Sequence, residues 1–170
     1  MRVFAVAMSA ALAMSAGSLI STAHAAGPSQ SPVVAPVSTG SCSIKKTEIT
    51  ASNSFDESAS TTFVNLGDSG SITFKSKKSG CIEGTFFANA GNGNDGDSVV
   101  LQVLLDNSPC QPLVGNYFFA NSGSDFSSHS AAFFCGANVS AGTHKIQVQY
   151  SSFAGGLVEF FQRSLIVNHS

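Results

Sequence analysis

The sequence predicts an all-β chain folded as an antiparallel sandwich of the jelly-roll kind, with eight or nine strands and no substantial helix after the N-terminal segment. Three observations carry that expectation. Residues 145–150 alternate cleanly, with Ile146, Val148 and Tyr150 on one side of the pleat and Lys145, Gln147 and Gln149 on the other. Short apolar runs recur about every ten residues between Gly, Asn, Asp and Ser turn signals. Nowhere after residue 25 do apolar residues recur at three-four spacing.

Residues 1–25 carry one cation, Arg2, then an apolar run from Val3 to Leu19 and the small residues Ala23 and Ala25 around His24. That order is expected of a cleaved secretory signal peptide. It predicts a secreted protein, periplasmic or extracellular, with no transmembrane segment left after cleavage. Residues 26–41 hold prolines, Ser/Thr and no charge, and read as a disordered leader. Residues 42–170 are then one β-sandwich domain. Cleavage leaves seven Lys/Arg against ten Asp/Glu, a net charge of −3. The only basic cluster is Lys75, Lys77 and Lys78 at a strand end, so nucleic acid is excluded as a partner.

The strands are expected at Thr47–Asn53, Thr61–Leu66, Ser71–Ser76, Gly80–Ala90, Ser98–Leu105, Gly115–Asn121 and Ser128–Gly136, followed by a closing pair within Ala141–Val167. In Ser71–Ser76, Ile72 and Phe74 alternate with Thr73 and Lys75. In Ser98–Leu105, Val99, Leu101, Val103 and Leu105 share one face, while Val100 and Leu104 on the other suggest cover on both sides. Gly155-Gly156 supplies a turn, so the last two runs read as a β-hairpin. Val158 and Phe160 have one parity and Leu165 and Val167 the other, which a bulge near Gln162-Arg163 would reconcile.

Four cysteines in a secreted chain imply two disulfides among three connectivities. Cys110–Cys135 and Cys42–Cys81 are preferred: the first closes a long excursion, and the second pins the domain's start to a central strand. The spacings contain no C-x-x-C motif that would suggest zinc.

Few residue sets could carry chemistry. Gly67–Gly70, GDSG, resembles the nucleophile motif of trypsin-like proteases, but the only histidine before Ser69 is His24. Gly96-Asp97-Ser98 resembles the start of GDSL-type esterases without their late D-x-x-H. Both read as turns. An enzyme would have to draw on Asp125 with His129, or on Asp97 near His144. His129 is expected in a loop, His144 at a strand start and His169 at a frayed terminus, all as surface or turn residues. No catalytic residue, confident metal site or cofactor is therefore assigned, and the chain is read as a non-enzyme. Asn92, Asn94, Asp95 and Asp97 form a weak candidate calcium loop, offering hard oxygens on a glycine-rich turn without the closing glutamate of an EF-hand. Phe55, Phe126 and Phe153 fall in loop-like segments and form a candidate interaction patch, which they would lose if they capped the sandwich instead. The chain has no Trp and only Tyr117 and Tyr150, both in strands, which disfavours an ordinary sugar-stacking platform. The Asn138 and Asn168 sequons matter only in a host that glycosylates them.

Leu104-Leu105-Asp106 with Cys110 soon after, Phe133-Phe134-Cys135, AGTHKIQVQY at Ala141–Tyr150, the Gly155-Gly156 pair and RSLIV at Arg163–Val167 occur in that order. The combination, over roughly Gly80–His169, resembles a group of uncharacterised secreted bacterial proteins with the pattern LLD…C…FxC…AGTHxxxVQ…GG…RxLxV. The resemblance implies a TNF- or C1q-like β-sandwich and brings no catalytic residues. The expected function is a binding or cell-envelope interaction module with a protein or glycan ligand. The alternatives are a structural subunit that forms homo-oligomers through a sheet face, and a hydrolase.

Overall fold

The computed structural model describes residues 43–92, 97–112, 117–120 and 126–170. The expected signal peptide, the leader, Cys42, Asn94, Asp95 and Asp125 lie outside these residues. Among the described residues there is no helix, and eleven strands form two antiparallel sheets. In chain order they are β1 Lys46–Ser52, β2 Asp56–Ser58, β3 Val64–Asn65, β4 Ser71–Ser76, β5 Gly80–Asn92, β6 Val99–Leu105, β7 Ser108–Pro109, β8 Tyr117–Ala120, β9 Ser127–Val139, β10 Gly142–Ser152 and β11 Val158–His169. The count exceeds eight or nine because β2 and β7 are two- or three-residue pairings inside segments whose composition signals turns. Thr61–Leu66 shrinks to the two residues of β3.

The first sheet runs β1-β11-β5-β9, with β2 continuing the β1 edge alongside β11. In the second, β10 pairs β6 on one side and both β3 and β4 on the other, while β6 also pairs β7 and β8. β10 and β11 therefore belong to different sheets, and the expected hairpin is corrected to a connection that crosses the sandwich. A two-glycine turn between apolar runs suits either arrangement, and Gly155 takes the positive φ of 89° that this one needs.

The core fills the space between the sheets. Val99, Leu101 and Val103 from β6, Ile146 and Val148 from β10, and Leu165 and Val167 from β11 are wholly buried. At its centre Phe86, Phe119 and Phe160 touch one another with ring centroids 5.4–6.1 Å apart, and Tyr150 meets Phe160 edge-on at 4.9 Å. Each such side chain contributes about 1.5–3 kcal/mol by leaving water. The Cys110–Cys135 disulfide ties the strand pair of β6 and β7 to β9 in the opposite sheet. Beside it Cys110 N–H donates to the Val103 carbonyl, and Gln111 and Phe134 exchange both backbone hydrogen bonds at 2.7–2.8 Å. Cys81 is disulfide-bonded as well.

The parity conflict in the last strand is resolved by a bulge between Phe161 and Ser164, where Gln162 adopts φ 45°. Val158 and Phe160 before it, and Arg163, Leu165, Val167 and His169 after it, all face inward. Arg163 is 2% exposed, and its donors are met by backbone carbonyls: Nε donates to Asp68 O at 2.8 Å and an amino nitrogen to Ser54 O at 2.9 Å. Its second amino nitrogen lies 3.7 Å from Asp56 Oδ2. His169 is corrected likewise: it is buried rather than frayed, because it pairs with Lys46 and Ile82 and stacks on Phe74 at 4.5 Å.

Replacing Arg163 by methionine keeps most of the stem and removes the donors that the Ser54 and Asp68 carbonyls and the Asp56 carboxylate share. Urea unfolding at neutral pH should show a loss of about 3 kcal/mol. A loss within the roughly 0.5 kcal/mol common for surface substitutions would contradict this role.

Candidate functional site

The outward face of the first sheet carries an aromatic hollow. Phe161, outward beside the inward Phe160 and just before the bulge, sits opposite Asn89 on β5, and Asn89 sits opposite Ser128 on β9. Phe126, just before β9, lies over Gly91: a Cβ there would come within 3.2 Å of the ring, so only glycine seats it this closely. Phe55 precedes β2 and meets Phe126 with centroids 6.3 Å apart. The three rings line a hollow of about 260 Å³ while remaining 52%, 46% and 37% exposed at Phe55, Phe126 and Phe161. Beside them Asn89 Nδ2 donates to Gln162 Oε1 at 2.7 Å, and Asn89 Oδ1 accepts from Ser128 Oγ at 2.5 Å.

Of the three rings expected to form one patch, Phe55 and Phe126 lie together and Phe153 lies apart from them. Phe153 instead pairs edge-on with Phe118 of β8, at 5.2 Å. Phe161 was missed because a strand residue beside the inward Phe160 carries no mark of its own; the parity switch is the signal that could have found it.

Phe55 is held by a partly buried polar network. Its neighbour Asp56 accepts from Gly67 N–H at 2.6 Å on Oδ2 and from Tyr150 Oη at 2.8 Å on Oδ1. Burial, reinforced by this bond to the Asp56 carboxylate, holds the tyrosine well above the usual phenol range. Tyr150 thus remains a donor that anchors the loop.

The sets considered for catalysis or metal fall out differently. Asp97 is 3% exposed and both its oxygens are taken: Oδ1 accepts from Ser98 N–H at 2.6 Å and Ala154 N–H at 2.8 Å, Oδ2 from Ser152 Oγ and Gly156 N–H. Burial alone would raise its pKa, but these four donors outweigh it and hold the carboxyl below the ordinary aspartate value. Asp97 therefore clasps the crossing between β10 and β11. Asn92 is buried at the end of β5, so two members of the candidate calcium loop face inward. Among the described residues no cluster of three or more His, Cys, Asp or Glu could hold a metal.

His144 pairs with Asp106 and not with Asp97. Its Nδ1 is 2.7 Å from Asp106 Oδ2 and its Nε2 2.9 Å from the Ser140 carbonyl, while Lys145 N–H donates to Asp106 Oδ1 at 2.8 Å. Both ring nitrogens thus face acceptors, which favours the doubly protonated ring. Burial opposes that charge, but the bonds to Asp106 and Ser140, with the Asp106 charge, prevail and raise the imidazole pKa. The expectation of a turn histidine is corrected: His144 is buried inside β10. His129 is in β9 rather than a loop, 2.7 Å from Ser127 Oγ. Ser69 lies at φ 66° in the turn closed by Gly70 N–H to Gly67 O at 2.7 Å, and among the described residues no hydrogen-bonding base meets its Oγ.

No protein-family model matches the sequence, and no curated protein matches it. Among solved structures it is similar to dimeric latent PorU from Porphyromonas gingivalis, with 8% identity and a TM-score of 0.45 over 74% of this chain and 13% of that one. It is also similar to the CBM36-1 domain of a multidomain xylanase from the hindgut metagenome of Trinervitermes trinervoides, with 13% identity and a TM-score of 0.38 over 71% and 96% of the two chains. For CBM35 from Cellvibrio japonicus Abf62 the values are 11% and 0.35 over 74% and 99%. The chain spans 13% of the length of the PorU chain.

Two outcomes test these carboxylates. Asp97→Asn turns an amide donor toward backbone N–H groups and should cost about 2 kcal/mol at neutral pH. Because the native pKa is lowered, the wild-type advantage is present above the unfolded value of about 3.9 and is lost as pH falls through the native one. Urea melts of both proteins should converge with acid; a gap constant with pH would contradict the clasp. For His144 the sign reverses: its contribution is complete below the ordinary value of 6.5 and fades as pH rises through the raised native value. An NMR titration should place its midpoint above 6.5, and a midpoint below 6.5 would exclude the charged pair.

Proposed function

We propose that the protein is a secreted, non-enzymatic β-sandwich binding module whose recognition surface is the hollow formed by Phe55, Phe126 and Phe161. The observation that carries this reading is the exposure of three converging rings on a rigid sheet face. Asn89, Gln162 and Ser128 give the rings a hydrogen-bonded polar margin, an aromatic centre with a polar rim of the kind found at protein interfaces. The ligand this surface suits is an apolar side chain of a partner protein at the cell envelope. The titratable groups support a non-catalytic reading, since Asp97, Asp56 and His144 hold loops and strand ends by bonds that leave them little freedom to act on a substrate. Secretion is supported by the signal-type start of the chain and by the Cys110–Cys135 bond, which suits an oxidising compartment.

The hollow is tested with anilinonaphthalene sulfonate, a fluorescent probe for apolar sites. The wild-type protein should enhance its emission, and a Phe55→Ser, Phe126→Ser, Phe161→Ser triple variant with an unaltered cooperative melt should bind it at least about tenfold more weakly. Equal binding by the variant, or a variant that no longer folds because the rings cap the core, would overturn the proposal.

A further inference from the structure

The outward face of the second sheet presents a different chemistry. Val100, Gln102 and Leu104 of β6 share the outward parity, and their cross-strand neighbours on β10 are Ser151, Gln149 and Gln147; the two lower rows are partly exposed, whereas Val100 and Ser151 are covered, each 4% exposed. Gln102 Nε2 donates to Gln149 Oε1 at 2.5 Å, and Gln149 Nε2 donates to Asn65 Oδ1 at 2.9 Å, so one amide ladder crosses β6, β10 and β3. Toward one end the face holds a hollow of about 250 Å³ whose lining includes Asn65, Leu104, Asp106, Lys145, Gln147 and Gln149. Toward the other, Val100 is opposite Phe118, and Phe118 and Phe153 meet edge-on while 42% and 62% exposed.

Polar side chains on an outward sheet face ordinarily require no ligand. Three features argue for one here. The two largest groups on this part of the surface are apolar rings, which water alone would not favour. The amides are fixed in a row instead of moving freely. Gln102 and Gln149 each use one N–H in the ladder and retain a second, so the row still offers donors as well as acceptors. Paired donors and acceptors beside an exposed aromatic face match a compound that carries many hydroxyls on a ring with an apolar C–H side.

We infer that this face is a binding site for polyhydroxylated ligands, namely the sugar units of a polysaccharide, with Phe153 and Phe118 taking the C–H face of a ring and the Gln102–Gln149–Asn65 ladder its hydroxyls. From Phe118, beside the covered Val100, to the Leu104 row the strip extends about 13 Å along the strands, which suits a chain of sugars better than a single one. The site is separate from the Phe55–Phe126–Phe161 hollow and does not depend on it.

The test is affinity electrophoresis of the secreted chain in native gels cast with xylan, mannan, dextran, laminarin or pectin. The wild type should be retarded by at least one of them. Phe153→Ala and Gln149→Ala, each with a wild-type melting transition, should weaken that retardation at least about tenfold, and Phe118→Ala replaces Gln149→Ala if that variant melts early. The triple phenylalanine variant of the other sheet should be retarded like the wild type. No retardation in any gel, retardation unchanged in Phe153→Ala and the amide variant, or retardation lost only in the triple variant would each overturn the assignment.

Discussion

The bulge between Phe161 and Ser164 is the constraint on which the rest depends. A strand of uniform parity could bury Val158 and Phe160 or Leu165 and Val167, but not both pairs. One extra residue, with Gln162 in the left-handed region, buries all four and leaves Phe161 and Gln162 both outward in succession. Phe161 then completes an aromatic hollow, and Gln162 joins its polar margin through Asn89. Arg163, turned inward by the same step, reaches the carbonyls of Ser54 and Asp68 and the carboxylate of Asp56. Since Phe55 lies between Ser54 and Asp56, the inward face of the bulge holds one wall of the hollow that its outward face completes.

The polar groups at the connections follow one pattern. Asp97 gathers donors from both sides of the crossing between the sheets, Asp56 joins β2 to Tyr150 and Gly67, and Asp106 with His144 fixes the start of β10 against the turn after β6. Each satisfies backbone or side-chain donors that a connection would otherwise bury unpaired. Charge in this sandwich holds connections still, and the outward faces of the two sheets carry the exposed rings and amides. One offers apolar rings with a narrow polar margin; the other offers amides with aromatic rings at one end.

Much of this was legible in the sequence where the information is local. Ser71–Ser76 follows its alternation residue for residue, the strand over Val99–Leu105 shows its inward set, and the conflict between Phe160 and Leu165 located the bulge. Gly67–Gly70 forms the turn that its composition signals, while Gly96 of the second G-D-S run lies outside the described residues. What could not be read was pairing over distance. Gly155-Gly156 fits a hairpin as well as a crossing between sheets, and the Asp97 clasp that accompanies the crossing comes from more than fifty residues upstream. His169 looked terminal because nothing near it announces Phe74 as its stacking partner. Phe153 was grouped with the wrong rings for the same reason, its companion Phe118 lying on a short strand with no exposed signature.

Deletion of Gln162 tests the central claim most directly, because it removes the one extra residue and leaves every other side chain in place. In the deleted chain Val158, Phe160, Arg163, Leu165 and Val167 alternate without a break, so a regular strand can bury the whole inward set. Differential scanning calorimetry should therefore show a cooperative transition for this deletion, and none at the wild-type temperature when Phe161 and Gln162 are both deleted, which sets Phe160 and Leu165 at opposite parity again. Loss of the cooperative transition on deletion of Gln162 alone would contradict the account, since Gln162 would then not be a residue in excess of the strand's alternation.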